Sequence, residues 1–278
     1  MKIIYNYIKL TRPLNCLITA LVVFVGGIIS SERVYLDQTL ILASVVASVV
    51  AASGNVINDY FDIEIDKISH PERPLAKNNL KPSSALIYYS ILLLIALTIS
   101  FFLNTKLLSV VIFASTILFF YSFYLKKISL VGNITVAVLT ALAFLFGGLA
   151  VNNFQAAIIP ASFAFLINLI RELVKDAEDI EGDKLNNVIT FPIKYGIEKT
   201  RNTITVLSLL LIALTIYPFI DHSYNIEYFV VVMIVVNPIL VFILKKLFED
   251  TSKQNLNFIS SMLKITMIFG LIAIYLGK

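Results

Sequence analysis

The sequence predicts an all-α, polytopic membrane protein with nine transmembrane helices. Three observations predict it. Of the 278 residues, 58% are hydrophobic and only 14% are charged, where a soluble protein carries about a quarter charged. Nine apolar runs reach the roughly 17 to 25 residues needed to cross a bilayer as helix. Lysine and arginine gather on one side of those runs, as they do in the cytoplasmic loops of membrane proteins.

The first run, 14–30, follows Lys2, Lys9 and Arg12 and starts at Pro13, a residue suited to the first helical turn. More spans follow it and it has no cleavage site, so it is read as a transmembrane helix and not a removed signal. The second run, 38–58, ends in an acidic phrase. A polar segment, 59–82, contains His70-Pro71-Glu72-Arg73-Pro74, whose two prolines break helix and set a turn. Runs 83–103 and 107–125 are joined at Asn104-Thr105-Lys106, and Lys126-Lys127 closes the fourth. The fifth run, 130–150, turns at Asn152-Asn153 into the sixth, 154–175, which leads into a second acidic phrase. A second polar segment, 176–199, carries Gly182, Pro192 and Gly196 before runs 200–220, 226–247 and 257–277. No segment is long or polar enough to be a linker, so residues 1–278 read as one integral-membrane domain.

With the N-terminus cytoplasmic, 18 of the 22 Lys and Arg fall on inner segments. Outside lie only Arg33, Lys106 and Lys278, and Lys264 falls inside the ninth run. This predicts a cell-membrane protein with both polar segments cytoplasmic and the C-terminus outside. The net charge of +4 is that bias and calls for no nucleic acid. One cysteine, Cys16, excludes an internal disulfide, and with two histidines there is no zinc-type ligand set. Cys16 reads as a small lipid- or helix-facing residue.

The most informative feature is a nine-residue phrase that occurs twice. Asp59-Tyr60-Phe61-Asp62-Ile63-Glu64-Ile65-Asp66-Lys67 matches Asp176-Ala177-Glu178-Asp179-Ile180-Glu181-Gly182-Asp183-Lys184 at six of nine positions, each pair 117 apart. On a helix the three aspartates of each copy fall within roughly 60° of one another, a single acidic stripe. Acids at a helix C-terminus cost a few tenths to about 1 kcal/mol each and also repel one another, so a cation is needed. Oxygen ligands without His or Cys point to Mg²⁺, held by carboxylates together with substrate phosphates. The candidate ligands are Asp59, Asp62, Asp66, Asp176, Asp179 and Asp183. Asn58 is either a further ligand through its amide oxygen or a helix cap. Glu64 and Glu181 fall off the stripes and read as loop groups.

A diphosphate site also wants cations. Arg73, Lys77, Lys126, Lys127, Arg171 and Lys175 are on the correct face, with ordinary inner-face anchoring as the alternative for each. Asn15 is costly in lipid and is expected to face the bundle interior, where it can touch substrate. Tyr121 and Tyr124 precede Lys126 and are candidates for an aromatic wall beside a developing carbocation; the other inner-face tyrosines read as interfacial belt. A cation transporter with acidic gates is a rival of another class, but it wants ionisable residues near the bilayer midplane, and runs one to eight carry essentially none. A non-catalytic lipid-binding membrane protein is a third reading, which an assay showing Mg²⁺-dependent diphosphate release would exclude.

Asn58-Asp59-x-x-Asp62-x-x-x-Asp66 resembles the first aspartate-rich motif of the UbiA-type intramembrane prenyltransferases. Asp179-x-x-x-Asp183, with Asp176 ahead of it, resembles the second. Arg12-Pro13-x-Asn15, Arg73-Pro74-Leu75, Tyr121-x-x-Tyr124-x-Lys126 and the nine-span topology extend the resemblance over essentially the whole chain. The resemblance implies nine helices bundled around a central cavity, with cytoplasmic loops capping the site and an isoprenyl tail in a lipid-open tunnel. It implies Mg²⁺ on Asn58, Asp62, Asp66, Asp179 and Asp183, with Asp59 and Asp176 assisting and Asp62, Asp66, Asp179 and Asp183 as the catalytic set. Arg73, Lys126 and Lys175 would contact phosphate. The stretch from Arg171 to Asp183 resembles the archaeal ether-lipid branch of that superfamily. That branch implies geranylgeranyl diphosphate as donor and geranylgeranylglyceryl phosphate, a lipid-like phosphate, as acceptor. Membrane lipids are then the only other partners, with no obligate protein partner. Within the superfamily, prenylation of an aromatic acceptor in a quinone or haem pathway is the alternative.

Overall fold

The computed structural model describes residues 2–31, 37–185 and 188–278. Arg33, expected on the outer side, lies outside them. Among the described residues the regular elements are all helices, and nine are long and apolar enough to cross a membrane. A short helix, α1 (Lys2–Thr11), comes first. The chain breaks at Arg12, which takes a left-handed backbone (φ 52, ψ 70) before α2 (Pro13–Ser30), because a residue ahead of proline is pushed out of the right-handed helical region. Then follow α3 (Gln38–Phe61), α4 (Ile63–Ser69), α5 (Pro82–Leu103), α6 (Thr105–Phe123), α7 (Val131–Ala150) and α8 (Phe154–Glu178). The chain continues with α9 (Ile180–Leu185), α10 (Phe191–Tyr195) and α11 (Ile197–Ile220). The eighth span joins α12 (Ile226–Val231) and α13 (Asn237–Glu249) through a π-turn, Val232–Val236. Pro238 stands just after the π-turn; a proline lacks the N–H that α-helix needs and crowds the carbonyl four residues back, and a widened turn relieves both. The ninth span is α14 (Lys253–Leu276).

The expected spans match these helices closely, with two informative differences. Helices α3 and α8 run three residues past their expected ends, to Phe61 and Glu178. Asp59 and Asp176 are therefore helical residues and not the first residues of loops.

The chain divides into two compact units. The first holds Met1–Lys126 and Leu142–Ala157. Its core is Val23, Leu40, Ala43, Val46, Val50, Ala96, Leu107, Val111, Phe146 and Ala150. Lipid is as apolar as these side chains, so close packing and not water exclusion must hold the helices together. Glycine provides it: a Cβ on Gly147 would stand 2.2 Å from the Val23 carbonyl oxygen and 2.6 Å from the Gly27 nitrogen. A second cluster, Leu10, Val56, Leu75, Leu80 and Ala85, pins the loop 70–81 onto α1, α3 and α5. The second unit holds Lys127–Ala141 and Ile158–Lys278. Tyr228 is fully buried there and donates its hydroxyl to the Thr215 carbonyl at 2.7 Å, which satisfies the one polar atom of a large ring.

Candidate active site

The two copies of the acidic phrase share a backbone design. In the first, α3 stops at Phe61, Asp62 breaks the helix (φ −95, ψ 4), and α4 restarts at Ile63. In the second, α8 stops at Glu178, Asp179 is the break, and α9 restarts at Ile180. The helical hydrogen bonds nonetheless carry through both breaks. Asp62 N–H donates to Asn58 O and Asp66 N–H to Asp62 O, at 3.0 and 2.7 Å. Asp179 N–H donates to Lys175 O and Asp183 N–H to Asp179 O, both at 2.9 Å. The single straight stripe expected from the spacing is therefore bent at its middle aspartate in both copies.

In the first unit every carboxylate of the phrase meets a cation. Asp59 and Asp66 are buried, their side chains 3% and 4% exposed. Arg12, turned inward by its left-handed backbone, donates to Asp59. Arg73 Nη1 donates to both oxygens of Asp66 at 2.6 and 2.7 Å and reaches Asp59 at 3.5 Å. Lys126 Nζ, in the short turn after α6, lies 2.5 Å from Asp62 and 3.0 Å from Asn58 Oδ1. The Asn58 amide donates its N–H to Asp62 Oδ2 at 2.9 Å. Buried charge is tolerated only when paired in this way. The loop holds Arg73 in place through Lys77 N–H to Arg73 O (2.9 Å) and Asn79 N–H to Pro74 O (2.9 Å). Lys9 of α1 clasps the same loop by donating to Glu72 O.

The second unit is different. Asp176 accepts from Asn133 Nδ2 at 3.0 Å and from the Phe191 backbone N–H, both neutral donors. Asp179 is exposed and Asp183 half-buried. Among the described residues no ion pair forms to any of the three. Burial pushes the Asp183 carboxyl above the usual aspartate range, and the nearby Asp179 charge adds to the rise. Arg171 pairs with its neighbour Glu172 at 3.1 Å, and Lys175 makes no ion pair among the described residues.

The other expected residues fall as follows. Tyr121 is half-buried, and Tyr124 is exposed at the end of α6. Asn15, expected to face inward, is an exposed residue of the first turn of α2; an amide at a helix start can be solvated and need not seek the interior. Its neighbour Cys16 is buried and donates to Thr11 O. Glu64 pairs with Lys67 on the surface at 2.7 Å, off the stripe as expected. Sequence reasoning missed two residues at these clusters, Arg12 and Asn133. Arg12 stands in the Arg12-Pro13-x-Asn15 stretch of the family resemblance, but is given no role at the site there. A lone asparagine in an apolar run marked Asn133.

The donor set suits a hard divalent cation. It is oxygen only, and the second cluster holds two half-buried carboxylates and an exposed one with no ion-pair partner among the described residues, which a cation would compensate. Among the described residues no three Asp, Glu, His or Cys groups close into a finished metal cage.

Residues 17–268 match the UbiA prenyltransferase family. A digeranylgeranylglyceryl phosphate synthase of Methanosphaera stadtmanae is 34% identical over 271 residues, 98% of both chains. A solved structure of a digeranylgeranylglyceryl phosphate synthase superposes with a TM-score of 0.89 at 34% identity, covering 100% of this chain and 99% of that one. A UbiA homologue from Archaeoglobus fulgidus, solved with GPP and Mg²⁺, shares the fold at a TM-score of 0.71 and 19% identity, over 97% of this chain and 99% of that one. The chain is thus a multi-pass membrane protein and belongs to the UbiA prenyltransferase family.

Proposed function

We propose that this protein transfers a geranylgeranyl group from geranylgeranyl diphosphate to the free hydroxyl of geranylgeranylglyceryl phosphate. The C1–O bond to diphosphate breaks, a C1–O ether bond to the acceptor forms, and the acceptor hydroxyl loses its proton. The observation that carries this choice of substrates is the likeness, over essentially the full length, to archaeal digeranylgeranylglyceryl phosphate synthases. The family match runs across both compact units, which supports reading the chain as one catalytic domain. The Lys and Arg bias supports a cytoplasmic N-terminus and cytoplasmic acidic phrases.

Asn58, Asp59, Asp62, Asp66, Asp176, Asp179 and Asp183 are the proposed Mg²⁺ ligands. When bound, the metal supplies neutralisation of charge on the leaving diphosphate. The residues of the chain supply the rest. Arg73 and Lys126 already stand at the first carboxylates, and Arg12 joins them. Each exchanges a carboxylate for a diphosphate oxygen, so positive charge waits where negative charge develops. Arg171 and Lys175, which precede the second phrase on α8, are the proposed phosphate contacts there. Tyr121 and Tyr124 are the proposed aromatic wall for the allylic cation, and Asn15 a polar contact to substrate.

The test is turnover by purified protein with geranylgeranyl diphosphate and Mg²⁺, offered geranylgeranylglyceryl phosphate or an aromatic acceptor. Product with the glyceryl phosphate alone is expected. Asp62→Ala and Asp179→Ala should each abolish turnover while the protein still inserts, and full activity in either variant would sink the reading.

A further inference from the structure

The second unit contains a pocket of about 460 Å³ that none of the roles above uses. Ser129 and Leu130, just ahead of α7, form one wall. Phe191 and Tyr195 of α10 and Lys199, Asn202 and Thr203 of α11 form the rest. The lining is mostly apolar in area, but Ser129, Tyr195, Lys199, Asn202 and Thr203 each carry a polar group. The Ser129 hydroxyl oxygen is buried and has no hydrogen-bond partner among the described residues, although buried hydroxyls are nearly always satisfied. The Lys194 and Lys199 ammonium groups stand 5.2 and 5.9 Å from the centroid of the same Tyr195 ring. Two like charges gathered on one ring repel each other, and neither makes an ion pair among the described residues, although Glu198 lies between them in sequence. Gly196 starts α11 without a side-chain cap, so the helix adds a partial positive charge at this end. An anion with several acceptor oxygens would meet the Lys199 ammonium and the Asn202 amide in the pocket, with the Lys194 ammonium on the same Tyr195 ring. The pocket also adjoins the second acidic phrase, because the Phe191 backbone N–H donates to Asp176.

We propose that this pocket binds a phosphomonoester headgroup and, resting on the function proposed above, that the headgroup is the phosphate of the acceptor lipid. The donor diphosphate and the acceptor phosphate would then be held by different cations: Arg12, Arg73 and Lys126 for the first, Lys194 and Lys199 for the second. Both lysines are exposed, so their replacement should not disturb folding.

The test compares wild type with Lys199→Gln, Lys194→Gln/Lys199→Gln and Lys199→Arg in zwitterionic nanodiscs. Losing one charge-assisted contact should raise the acceptor KM about tenfold. The double variant should raise it further and the arginine variant should largely restore it, with donor KM held within about twofold of wild type. An unchanged acceptor KM overturns the proposal, as does an equal rise in donor KM. An effect seen only in nanodiscs containing an anionic phospholipid assigns the pocket to bulk lipid and overturns the acceptor assignment. If wild type turns over no glyceryl phosphate acceptor, the proposed function fails by itself. Binding of glycerol phosphate to the detergent-solubilised protein, measured by calorimetry, then decides the pocket: loss in Lys199→Gln supports a phosphomonoester site, and no binding to wild type overturns it.

Discussion

Arg73→Ala isolates what holds the first acidic phrase together. Arg73 places one nitrogen 2.6 and 2.7 Å from the two oxygens of Asp66, whose side chain is only 4% exposed. Asp59 keeps Arg12 in the variant, but Asp66 loses its only ion-pair partner among the described residues. At an effective dielectric near 20, the attraction at that distance is on the order of 6 kcal/mol before desolvation is counted. Breaking a buried pair from one side costs about 3–5 kcal/mol net, which corresponds to a fall in Tm on the order of 10 °C. The chain suits a thiol-reactive melting assay: it has no tryptophan, and Cys16 is its one cysteine and is buried. Dye reaction with Cys16 on heating therefore reports unfolding directly. Arg73→Ala/Asp66→Ala should recover most of the loss, because the orphaned charge goes with its partner. A single variant that melts within about 2 °C of wild type, or a double variant no better than the single, would refute the pairing.

Further outcomes follow from packing and from protonation. Gly147→Ala should lower Tm by several degrees or prevent folding, because its Cβ would meet backbone at 2.2 Å; Gly54→Ala, which meets only the flexible end of Leu118 at 3.2 Å, should be nearly neutral in the same assay. Asp183 has a raised folded pKa, so its effect on stability is favourable at low pH and is lost as pH rises through that value. Asp183→Asn should therefore melt higher than wild type at neutral pH and flatten this part of the Tm–pH curve. Mg²⁺ affinity, read by calorimetry, should fall on acidification at a pH above that of an ordinary aspartate, and Asp183→Asn should weaken it at every pH.

Much of the architecture is legible in the chain because spanning a bilayer is a local property. An apolar run of sufficient length reports a membrane helix without reference to any other part of the molecule, and the nine runs align with the nine helices. The acidic phrases are equally local, since residue identity and offset place their aspartates at helix ends. What the offsets do not contain is the break at Asp62 and Asp179. Neither position has a proline or glycine to announce it, so an uninterrupted helical period was the natural extrapolation. Tyr124 and Asn15 are both exposed at helix termini, and residue type alone does not say which way a side chain there turns.

The sequence by itself determined the helical class, the number of spans and the positions of the two acidic phrases. Tertiary structure decided which cation answers which carboxylate. Arg12 reaches Asp59 across 47 residues, Lys126 reaches Asp62 across 64, and Asn133 reaches Asp176 across 43. No periodicity links residues so far apart; packing does, through the cluster of Leu10, Val56, Leu75 and Leu80 that fixes the loop bearing Arg73. Folding also revealed that the two copies of one phrase are not electrostatic equals. The carboxylates of the first are paired with cations of the chain, while among the described residues the second makes no ion pair from Asp176, Asp179 or Asp183. That difference depends on burial and on neighbours brought in from elsewhere in the chain, and neither is written into six shared letters.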